Sequence, residues 1–543
     1  MELREILRPD ATLPALLEGY AWLPDLVRRS GGAPVRTRLM GRPAIALHGL
    51  DAVPFFYDEQ HIARRSALPG PVLDTLFGRG AVHTLDGPAH RARKALFVSL
   101  LKDPEGVDGL AGRAVKEWET AVAEWAHRPR IELFTEASVL ITRAVCDWAG
   151  VPRGEDDGRA TARDLVAMVD GFATAGPRHR RARSARTRQE ARLRALIEDI
   201  RGSGTEHSGS ALHAVALHRD DDGLLDAHTA AVEVLNIIRP TAAVAWFMAF
   251  AAHAMHRWPR QRELLREGGP ADAEAFAHEV RRFYPFVPFL GGVAVRDLEW
   301  RGERIAEGTL VLLDVYGHHH DPAIWPDPYV FEPARFTDGG PAGSDLLIPQ
   351  GGGDTATGHR CPGEDVTVAL LKALAPRLAR LEHGVPPQDL SIPLRRVPTR
   401  PVDGLPAGRP AGAHRLNGSG AADPGVRSDA RRARSSVALG RGAGQRRRDV
   451  LQRFAFGRDG EEDGHQAGGD HQARADAERE DGVGDDAARH LGVGDGESTA
   501  LRGEPAGDVA DAGQRAAPRR GVLPHSQSRS ADSRGRLSRR SRV

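Results

Sequence analysis

Cysteine is nearly absent from this chain of 543 residues, which contains only Cys146 and Cys361. So few thiols argue against a disulfide scaffold and against a cysteine-rich zinc module, and they fit a reducing compartment. Positive and negative side chains almost cancel, with a net charge of +1, so no global field favours nucleic acid or a membrane surface. We find no run of about 18 apolar residues and no secretion signal. We therefore expect a cytoplasmic protein without a membrane span.

Aromatic side chains are almost absent beyond Pro401, where only Phe454 and Phe456 occur. A segment dominated by Gly, Ala, Arg and Asp cannot bury enough apolar surface to offset its chain entropy. We therefore expect a folded domain at residues 1–403 and a disordered, low-complexity tail at residues 404–543. Its residues have GC-rich codons, so a frame-shifted read-through is one hypothesis for its origin. Non-specific nucleic-acid binding by its Arg- and Ser-rich end is a weaker alternative.

Helical periodicity dominates the folded region. Apolar spacing predicts helices at residues 13–29, 115–125, 137–148, 224–258 and 271–284. Alternation predicts a hairpin at residues 34–48 and further strands between residues 292 and 313. The expected fold class is mainly α with small β-sheets. The basic run at residues 176–186 interrupts the helical pattern, and we expect a solvated loop there, with a steering surface for an anionic substrate as the alternative.

One cysteine lies at the N-terminus of a predicted helix. A glycine-rich loop from Ile348 leads to Cys361, and an apolar helical face follows. Backbone N–H groups and the helix dipole at this position favour a thiolate. Haem iron held by a thiolate is one of the few metal sites that needs a single cysteine. The alternative is a buried thiol in a glycine-rich turn.

An arginine followed by a proline interrupts the most apolar predicted helix. Pro240 removes a backbone hydrogen bond and is expected to kink the helix. Arg239 would lie in apolar surroundings, where an unpaired charge is costly. We therefore expect an anion to meet Arg239. A buried carboxylate of this chain is the alternative to an anionic ligand.

Three motifs in order resemble the cytochrome P-450 superfamily. They are Glu279-x-x-Arg282, then Phe331-Glu-Pro-Ala-Arg335-Phe336, and finally Gly358-His-Arg-Cys361-Pro-Gly363. The resemblance covers residues from about 10 to about 403 and implies the P-450 fold. It implies that Cys361 is the axial ligand of haem b iron. It also implies that Glu279, Arg282 and Arg335 form a structural charge triad.

Several stretches are more specifically similar to the bacterial fatty-acid peroxygenase branch. They include the run from Phe77 to His90, Ile238-Arg239-Pro240 and Pro349-Gln-Gly-Gly-Gly353. Ordinary members of the superfamily carry an acid followed by an alcohol in the central helix, whereas this chain has Arg239-Pro240. The phenylalanine that usually opens the haem loop is also missing.

This resemblance implies that Arg239 binds the carboxylate of a fatty acid and that the carboxylate replaces the missing proton relay during hydrogen peroxide cleavage. Pinning C1 would place the α and β carbons nearest the iron. His83, with Phe77 packed on it, matches a position where histidine accompanies decarboxylation to terminal alkenes and glutamine accompanies hydroxylation. The alternative is a histidine that only tunes hydration of the pocket.

Further site residues follow from the same resemblance. Haem propionate partners are expected at Arg64, His90, Lys94 and His359. Substrate-channel residues are expected at Phe172 and Phe289, with core packing as the alternative for both.

The expected activity is hydrogen-peroxide-dependent oxidation of long-chain fatty acids, without an obligatory redox partner. An oxygen-dependent haem monooxygenase that uses a redox partner is the second hypothesis. A haem-binding sensor without turnover is the third.

Overall fold

The computed structural model describes residues 9–172, 174–203, 209–220, 223–337, 340–342, 344–404 and 406–408. The chain divides into two units, Met1–Glu461 and Glu462–Val543, and all described residues belong to the first. The predicted tail lies outside the described residues, except for Gly404 and the strand Pro406–Gly408. This strand pairs antiparallel with Arg130–Glu132. The disorder expected beyond it stays a prediction.

Helices make up most of the described chain. In chain order they are α1 Thr12–Glu18, α2 Trp22–Arg29, α3 Ala52–Tyr57, α4 Gly70–Val72, α5 Gly87–Leu101, α6 Pro104–Trp125, α7 Leu133–Ala149, α8 Arg159–Gly171, α9 Pro177–Ser203, α10 Ala211–Ala216, α11 Ala227–Ala242, α12 Val244–Arg257, α13 Pro259–Glu267, α14 Pro270–Phe283, α15 Val315–His319 and α16 Glu364–Arg380. Short 3-10 or π turns cover Gly19–Ala21, Leu73–Phe77, Val82–Thr84 and Pro333–Phe336.

The strands form one five-stranded sheet and three two-stranded ribbons. They are β1 Val35–Leu39, β2 Arg42–Leu47, β3 Ile62–Ala63, β4 Arg130–Glu132, β5 Arg219–Asp220, β6 Gly223–Leu224, β7 Phe289–Ala294, β8 Leu298–Trp300, β9 Glu303–Ile305, β10 Leu310–Asp314 and β11 Pro406–Gly408. The larger sheet has the order β1-β2-β10-β7-β3. The hairpin predicted at residues 34–48 is β1 and β2, which pair antiparallel. The expected class, mainly α with small sheets, is confirmed.

Helices α11 and α12 form the buried centre of the domain. Almost every side chain from Ala230 to Ala251 is buried against α7, α16 and neighbouring helices. Helix α11 begins after Asp226, whose side chain accepts a hydrogen bond from Thr229 N at 2.9 Å and so satisfies one free N–H of the first turn. Pro240 lies inside α11, and the break between the helices falls at Ala243, three residues beyond it. The predicted long helix is therefore two helices.

The same pair of helices is long and apolar enough to cross a membrane by length and composition. The candidate span is Ala227–Arg257, and 94% of its apolar window is buried inside the protein. An apolar helix that is buried on all sides is also what the core of a large domain requires.

The prediction of a loop at residues 176–186 is wrong, because residues 177–186 belong to helix α9. Arginine and alanine are both strong helix formers, and Pro177 suits the first helical position. Ala182, Ala185 and Arg186 are buried at helical spacing, so tertiary packing reinforces this local preference. Basic composition alone was a poor guide to a loop.

Candidate active site

Cys361 lies between the glycine-rich loop and the first turn of α16. Its backbone N–H donates to Gln350 O at 2.9 Å, which closes the loop onto the helix. Gly351 has a φ of 94°, and a Cβ there would collide with the Tyr57 hydroxyl. The loop conformation therefore requires glycine at this position.

The environment of the Cys361 thiol contains opposing effects. Burial raises the pKa of Cys361, whereas the Gly363 backbone N–H and the Lys94 ammonium oppose this by favouring the thiolate. The sequence predicts that the helix terminus favours a thiolate, but in the protein alone desolvation outweighs these contributions. A coordinating metal ion deprotonates a thiol outright.

A polar network that the sequence did not reveal lies beneath this loop. The Gln350 side chain accepts from Arg281 Nε at 2.9 Å and donates to Thr367 Oγ1 at 2.9 Å. Arg281 also forms an ion pair with Glu364, the first residue of α16. The network connects α14, the loop and α16, and so it fixes the direction in which Cys361 points. Arg281 stands inside a motif that was recognised, but nothing in the sequence distinguishes its role from that of Arg282.

Buried donors close to the cysteine loop fit a haem with two propionates. Arg64 Nη1 and His90 Nδ1 are buried and have no hydrogen-bond partner among the described residues, and the buried His359 Nε2 lies 3.5 Å from Asp86 Oδ1. The rings of His90 and His359 stack with centroids 3.9 Å apart. Buried polar atoms of this kind need acceptors, and two carboxylates would supply them. The three residues match three of the four predicted propionate partners, and that role stays a prediction.

Lys94 is the fourth predicted partner, and its ammonium already has acceptors. Nζ donates to Gly358 O at 2.9 Å and to Arg360 O at 2.5 Å. Burial lowers the pKa of Lys94 to about 8, while Cys361 opposes this shift. In this arrangement Lys94 holds the cysteine loop by its carbonyl groups and contributes positive charge near the thiol.

Arg239 is a buried cation without a carboxylate partner among the described residues. It is only 5% exposed, and its Nη2 donates to Asn236 Oδ1 at 3.1 Å. Its Nε has no hydrogen-bond partner in the described part of the chain. Burial lowers the pKa of Arg239 to about 9, and the second cause is the positive charge of Arg186. The guanidinium is therefore charged at neutral pH, and no carboxylate within the described ranges forms an ion pair with it.

Phe77 and His83 lie beside Arg239, as the sequence resemblance implies. The Arg239 guanidinium lies 5.6 Å from the centre of the Phe77 ring, and the rings of Phe77 and His83 are 4.5 Å apart. Desolvation lowers the pKa of His83 well below its ordinary value, and the Arg239 charge adds to this. The imidazole is therefore neutral at physiological pH in the substrate-free protein.

The two predicted channel residues are less closely connected to the group formed by Phe77, His83 and Arg239. Phe172 is half-buried at the C-terminal end of α8. Phe289 begins β7 and packs edge-to-face on Trp22, with ring centroids 5.6 Å apart. That contact favours the packing alternative for one side of the Phe289 ring, and the channel role of both residues stays a prediction.

The predicted structural triad is centred on one carboxylate. Arg282 Nε and Nη2 each donate to Glu279 at 2.7 Å, and neither side chain is exposed. Arg335 Nε lies 3.8 Å from Glu279 Oε1. Arg282 also donates to the backbone carbonyls of His319, Pro328 and Val330. Glu279 and Arg282 therefore join α14 to the chain that precedes the cysteine loop, while Arg335 makes a looser contact.

Two buried polar residues that precede Arg239 on its own helix were missed. Glu233 and Asn236 precede Arg239 by six and three residues and are both buried. Polar residues at a spacing of three on an apolar helix share a face, and that spacing was the available signal. It could show that the residues are neighbours, but not which atoms bond.

Comparison with known proteins identifies this architecture. A family model described as Cytochrome P450 matches residues 273–388. Among solved structures, cytochrome P450SP alpha (CYP152B1) in complex with (R)-ibuprophen is 41% identical, with a TM-score of 0.71, and the match covers 74% of this chain and 98% of that one. The chain belongs to the cytochrome P450 family.

Two other solved P450 structures are similarly related. Cytochrome P450EX alpha (CYP152N1) with myristic acid is 36% identical, and an OleT variant in complex with arachidonic acid is 34% identical. Both have a TM-score of 0.70, and the matches cover 74% of this chain and 96% of each of theirs. The solved relatives are CYP152 proteins, which confirms the branch that the sequence resemblance indicates.

Curated P450 sequences from mammals match a smaller part of the chain. Cytochrome P450 4A7 of Oryctolagus cuniculus and cytochrome P450 4A11 of Homo sapiens are each 29% identical over 177 residues, or 30% of this chain. The chain spans about a third of the length of these curated relatives. As a cytochrome P450 it is a haem oxidoreductase whose iron is held by a cysteine thiolate. Cys361 fits this role, since Cys146 is buried inside α7.

Proposed function

We propose that this P450 uses hydrogen peroxide to oxidise long-chain fatty acids at the α and β carbons. The observation that carries the proposal is Arg239, a buried guanidinium with a neutral amide as its hydrogen-bond partner. A fatty acid that enters an apolar pocket supplies one negative charge at one end, which is what this cation requires. The solved relatives that contain myristic and arachidonic acid support the same ligand class.

Arg239 binds and orients the substrate. A guanidinium can donate two parallel hydrogen bonds to one carboxylate, which fixes both the position and the plane of the acid. Nε is among the donors that remain for this purpose. Phe77, 5.6 Å from the guanidinium, supplies an apolar wall beside the headgroup. C1 of the fatty acid is thereby held in place, and C2 and C3 become the carbons closest to the reacting centre.

The bound carboxylate also handles protons. Arg239 and Pro240 stand where ordinary relatives carry an acid and an alcohol, so these two positions supply no side chain for that relay. A carboxylate held by Arg239 can take a proton from hydrogen peroxide and give it to the departing oxygen, which leaves as water. Haem, when bound through Cys361, supplies the oxidising chemistry.

Either reaction, hydroxylation or decarboxylation, consumes one hydrogen peroxide per fatty acid. Insertion of one oxygen gives a 2- or 3-hydroxy acid and one water. Removal of two hydrogens with loss of carbon dioxide gives a terminal alkene and two waters. His83 lies against Phe77, close to the expected position of the headgroup. Because its imidazole is neutral, His83 can donate a hydrogen bond to the carboxylate without protonating it. We expect His83 to influence the ratio of the two products.

Similarity to the mammalian P450 4A proteins favours an oxygen-dependent monooxygenase as the second candidate. A groove of about 740 Å³ is lined by Lys102, Lys372 and several residues of α16. Both lysines form ion pairs across it, Lys102 with Asp365 and Lys372 with Glu274. Because these charges are already paired, the groove offers little net charge for a redox protein.

The test is incubation of haem-loaded protein with a long-chain saturated fatty acid and hydrogen peroxide, without a reductase. Mass spectrometry should find hydroxy acids at C2 or C3, or an alkene one carbon shorter. The His83→Gln variant should shift the ratio toward hydroxy acids. Product that forms only with oxygen and a redox partner would establish the monooxygenase instead. No product under either condition would support the sensor.

A further inference from the structure

Asn236 connects the two parts of the pocket that the proposed function uses. It lies one turn before Arg239 on α11 and is 3% exposed. Its Nδ2 donates to Phe77 O at 2.9 Å and to Glu233 Oε2 at 3.2 Å, while its Oδ1 accepts from Arg239 at 3.1 Å. One amide group therefore contacts the carboxylate-binding arginine and the backbone of the Phe77 segment.

The surroundings allow only one orientation of this amide. Phe77 O and Glu233 Oε2 are acceptors, so they require the nitrogen of Asn236 on their side. The Arg239 guanidinium is a donor and requires the oxygen on the other side. A flipped amide would face two acceptors with its oxygen and a cation with its nitrogen. The network thus fixes the amide without a choice between equivalent states.

The Glu233 carboxylate has partners other than Arg239. It is fully buried, Oε1 accepts from Val82 N at 2.8 Å, and Arg93 Nη1 donates to the same oxygen at 3.0 Å. Arg93 in turn forms an ion pair with Asp220 at 2.7 Å. Glu233 and Asp220 therefore share the charge of Arg93, and the neutral amide of Asn236 lies between Glu233 and Arg239.

The Phe77 segment is held from its other side as well. Arg186 donates to Leu76 O at 2.6 Å and to Phe77 O at 3.0 Å. Gly78 has a φ of 89°, and a Cβ there would collide with the Arg186 guanidinium. The segment therefore packs against α11, where Asn236 links it to Arg239 by hydrogen bonds. A displacement of this amide would move Arg239 and Phe77 relative to each other.

We propose that Asn236 is a positioning residue that aims Arg239 at the acid and keeps it free of internal ion pairing. The inference rests on the proposed role of Arg239 in binding a carboxylate. A neutral partner leaves the guanidinium its full charge for a ligand, whereas a carboxylate at this position would compete with the ligand. Acid recognition in this pocket therefore depends on a side chain that does not touch the substrate.

The experiment compares a long-chain fatty acid with the fatty alcohol of the same length as ligands of the haem-loaded protein. Binding is measured by calorimetry for wild type, Asn236→Asp and Asn236→Leu. Thr142→Val, a buried change on α7 at a hydroxyl that has no hydrogen-bond partner among the described residues, is the control for a general loss of core polarity. Thermal unfolding of each variant is measured alongside.

We expect Asn236→Asp to weaken acid binding by at least about 30-fold, because its carboxylate pairs with Arg239, while alcohol binding changes by less than about twofold. Asn236→Leu should weaken acid binding by about fivefold, the value of one lost hydrogen bond, and broaden the positions of oxidation. The leucine variant carries the test if the aspartate variant does not load haem.

The inference is overturned if the acid-to-alcohol affinity ratio of both variants equals that of wild type, whatever happens to their melting temperatures. A purely structural role would produce that result. Failure of the proposed function looks different, because wild type itself would then bind acid and alcohol equally. That second outcome would overturn both proposals.

Discussion

Arg282 and Arg239 are both buried arginines on helices, and they have opposite surroundings. Arg282 places two nitrogens on Glu279 and donates to three backbone carbonyls, so its charge and its donors are satisfied by the protein. Arg239 has the amide of Asn236 as its neutral partner and an Nε without a partner among the described residues. The first arrangement suits a residue that holds the fold together, and the second suits a residue that waits for an anion.

The free-energy consequences of the two arrangements differ in sign. Removing one member of a buried ion pair strands the other charge and is strongly destabilising. Removing a buried charge that has no counter-charge relieves a desolvation cost. A protein that retains such a cost gains something other than stability from it, and ligand binding is the common reason.

The largest expected effect is on the paired site. Arg282→Leu should lower the free energy of unfolding by about 3–5 kcal/mol, because Glu279 is then buried without a counter-ion. Chemical denaturation of the haem-loaded protein measures this. Arg335→Leu is the matched control, since its Nε lies 3.8 Å from the same carboxylate, and it should cost about 1 kcal/mol or less. Equal losses for the two variants would show that the triad acts as one unit.

The corresponding change at Arg239 should have a different effect on stability. Arg239→Leu should leave the melting temperature unchanged or raise it, because a desolvated charge is removed. It should also lower kcat/KM for a fatty acid by about 10³-fold through loss of a charge-assisted contact. Steady-state kinetics with peroxide and thermal unfolding on one preparation measure both quantities. A large fall in melting temperature would place Arg239 with Arg282 as a structural residue.

The smallest expected effect is that of pH on fatty-acid affinity. Binding needs an ionised carboxyl and a protonated Arg239, whose pKa is lowered to about 9 by burial. A simple carboxyl is ionised above about pH 5, so affinity should be constant from about pH 6 to 8. Above about pH 9 the free protein loses the proton that the complex retains, so affinity should fall by up to tenfold per pH unit. A titration with the fatty alcohol should show no such fall.

The basic run at residues 176–186 shows why sequence patterns can mislead. Charge density predicted a loop, yet the same residues have high helix propensity and pack on α8. Arg186, in the middle of the run, is buried and bonds to the backbone of the Phe77 segment. Whether a charged side chain faces solvent or a buried carbonyl depends on neighbours that are 110 residues away in the chain, and no local pattern records them.

Local patterns in the sequence were sufficient to predict most elements and the chemistry of single residues. Periodicity placed the long helices, the β1–β2 hairpin was read from alternation, and Arg239-Pro240 in an apolar helix was enough to require an anion. The predictions of secondary structure succeed because they rest on local geometry, which holds in any fold. The anion at Arg239 follows from the cost of burying a charge and stays a prediction.

The pairing of buried charges, in contrast, depends on the three-dimensional fold. Arg93 pairs with both Glu233 and Asp220, Asn236 lies between Glu233 and Arg239, and Glu279 pairs with Arg282. Each of these buried groups could have paired differently, because opposite charges attract regardless of their order along the chain. The fold selects one pairing by bringing particular atoms within about 3 Å in a medium of low polarity, where hydrogen-bond geometry determines which contact is made.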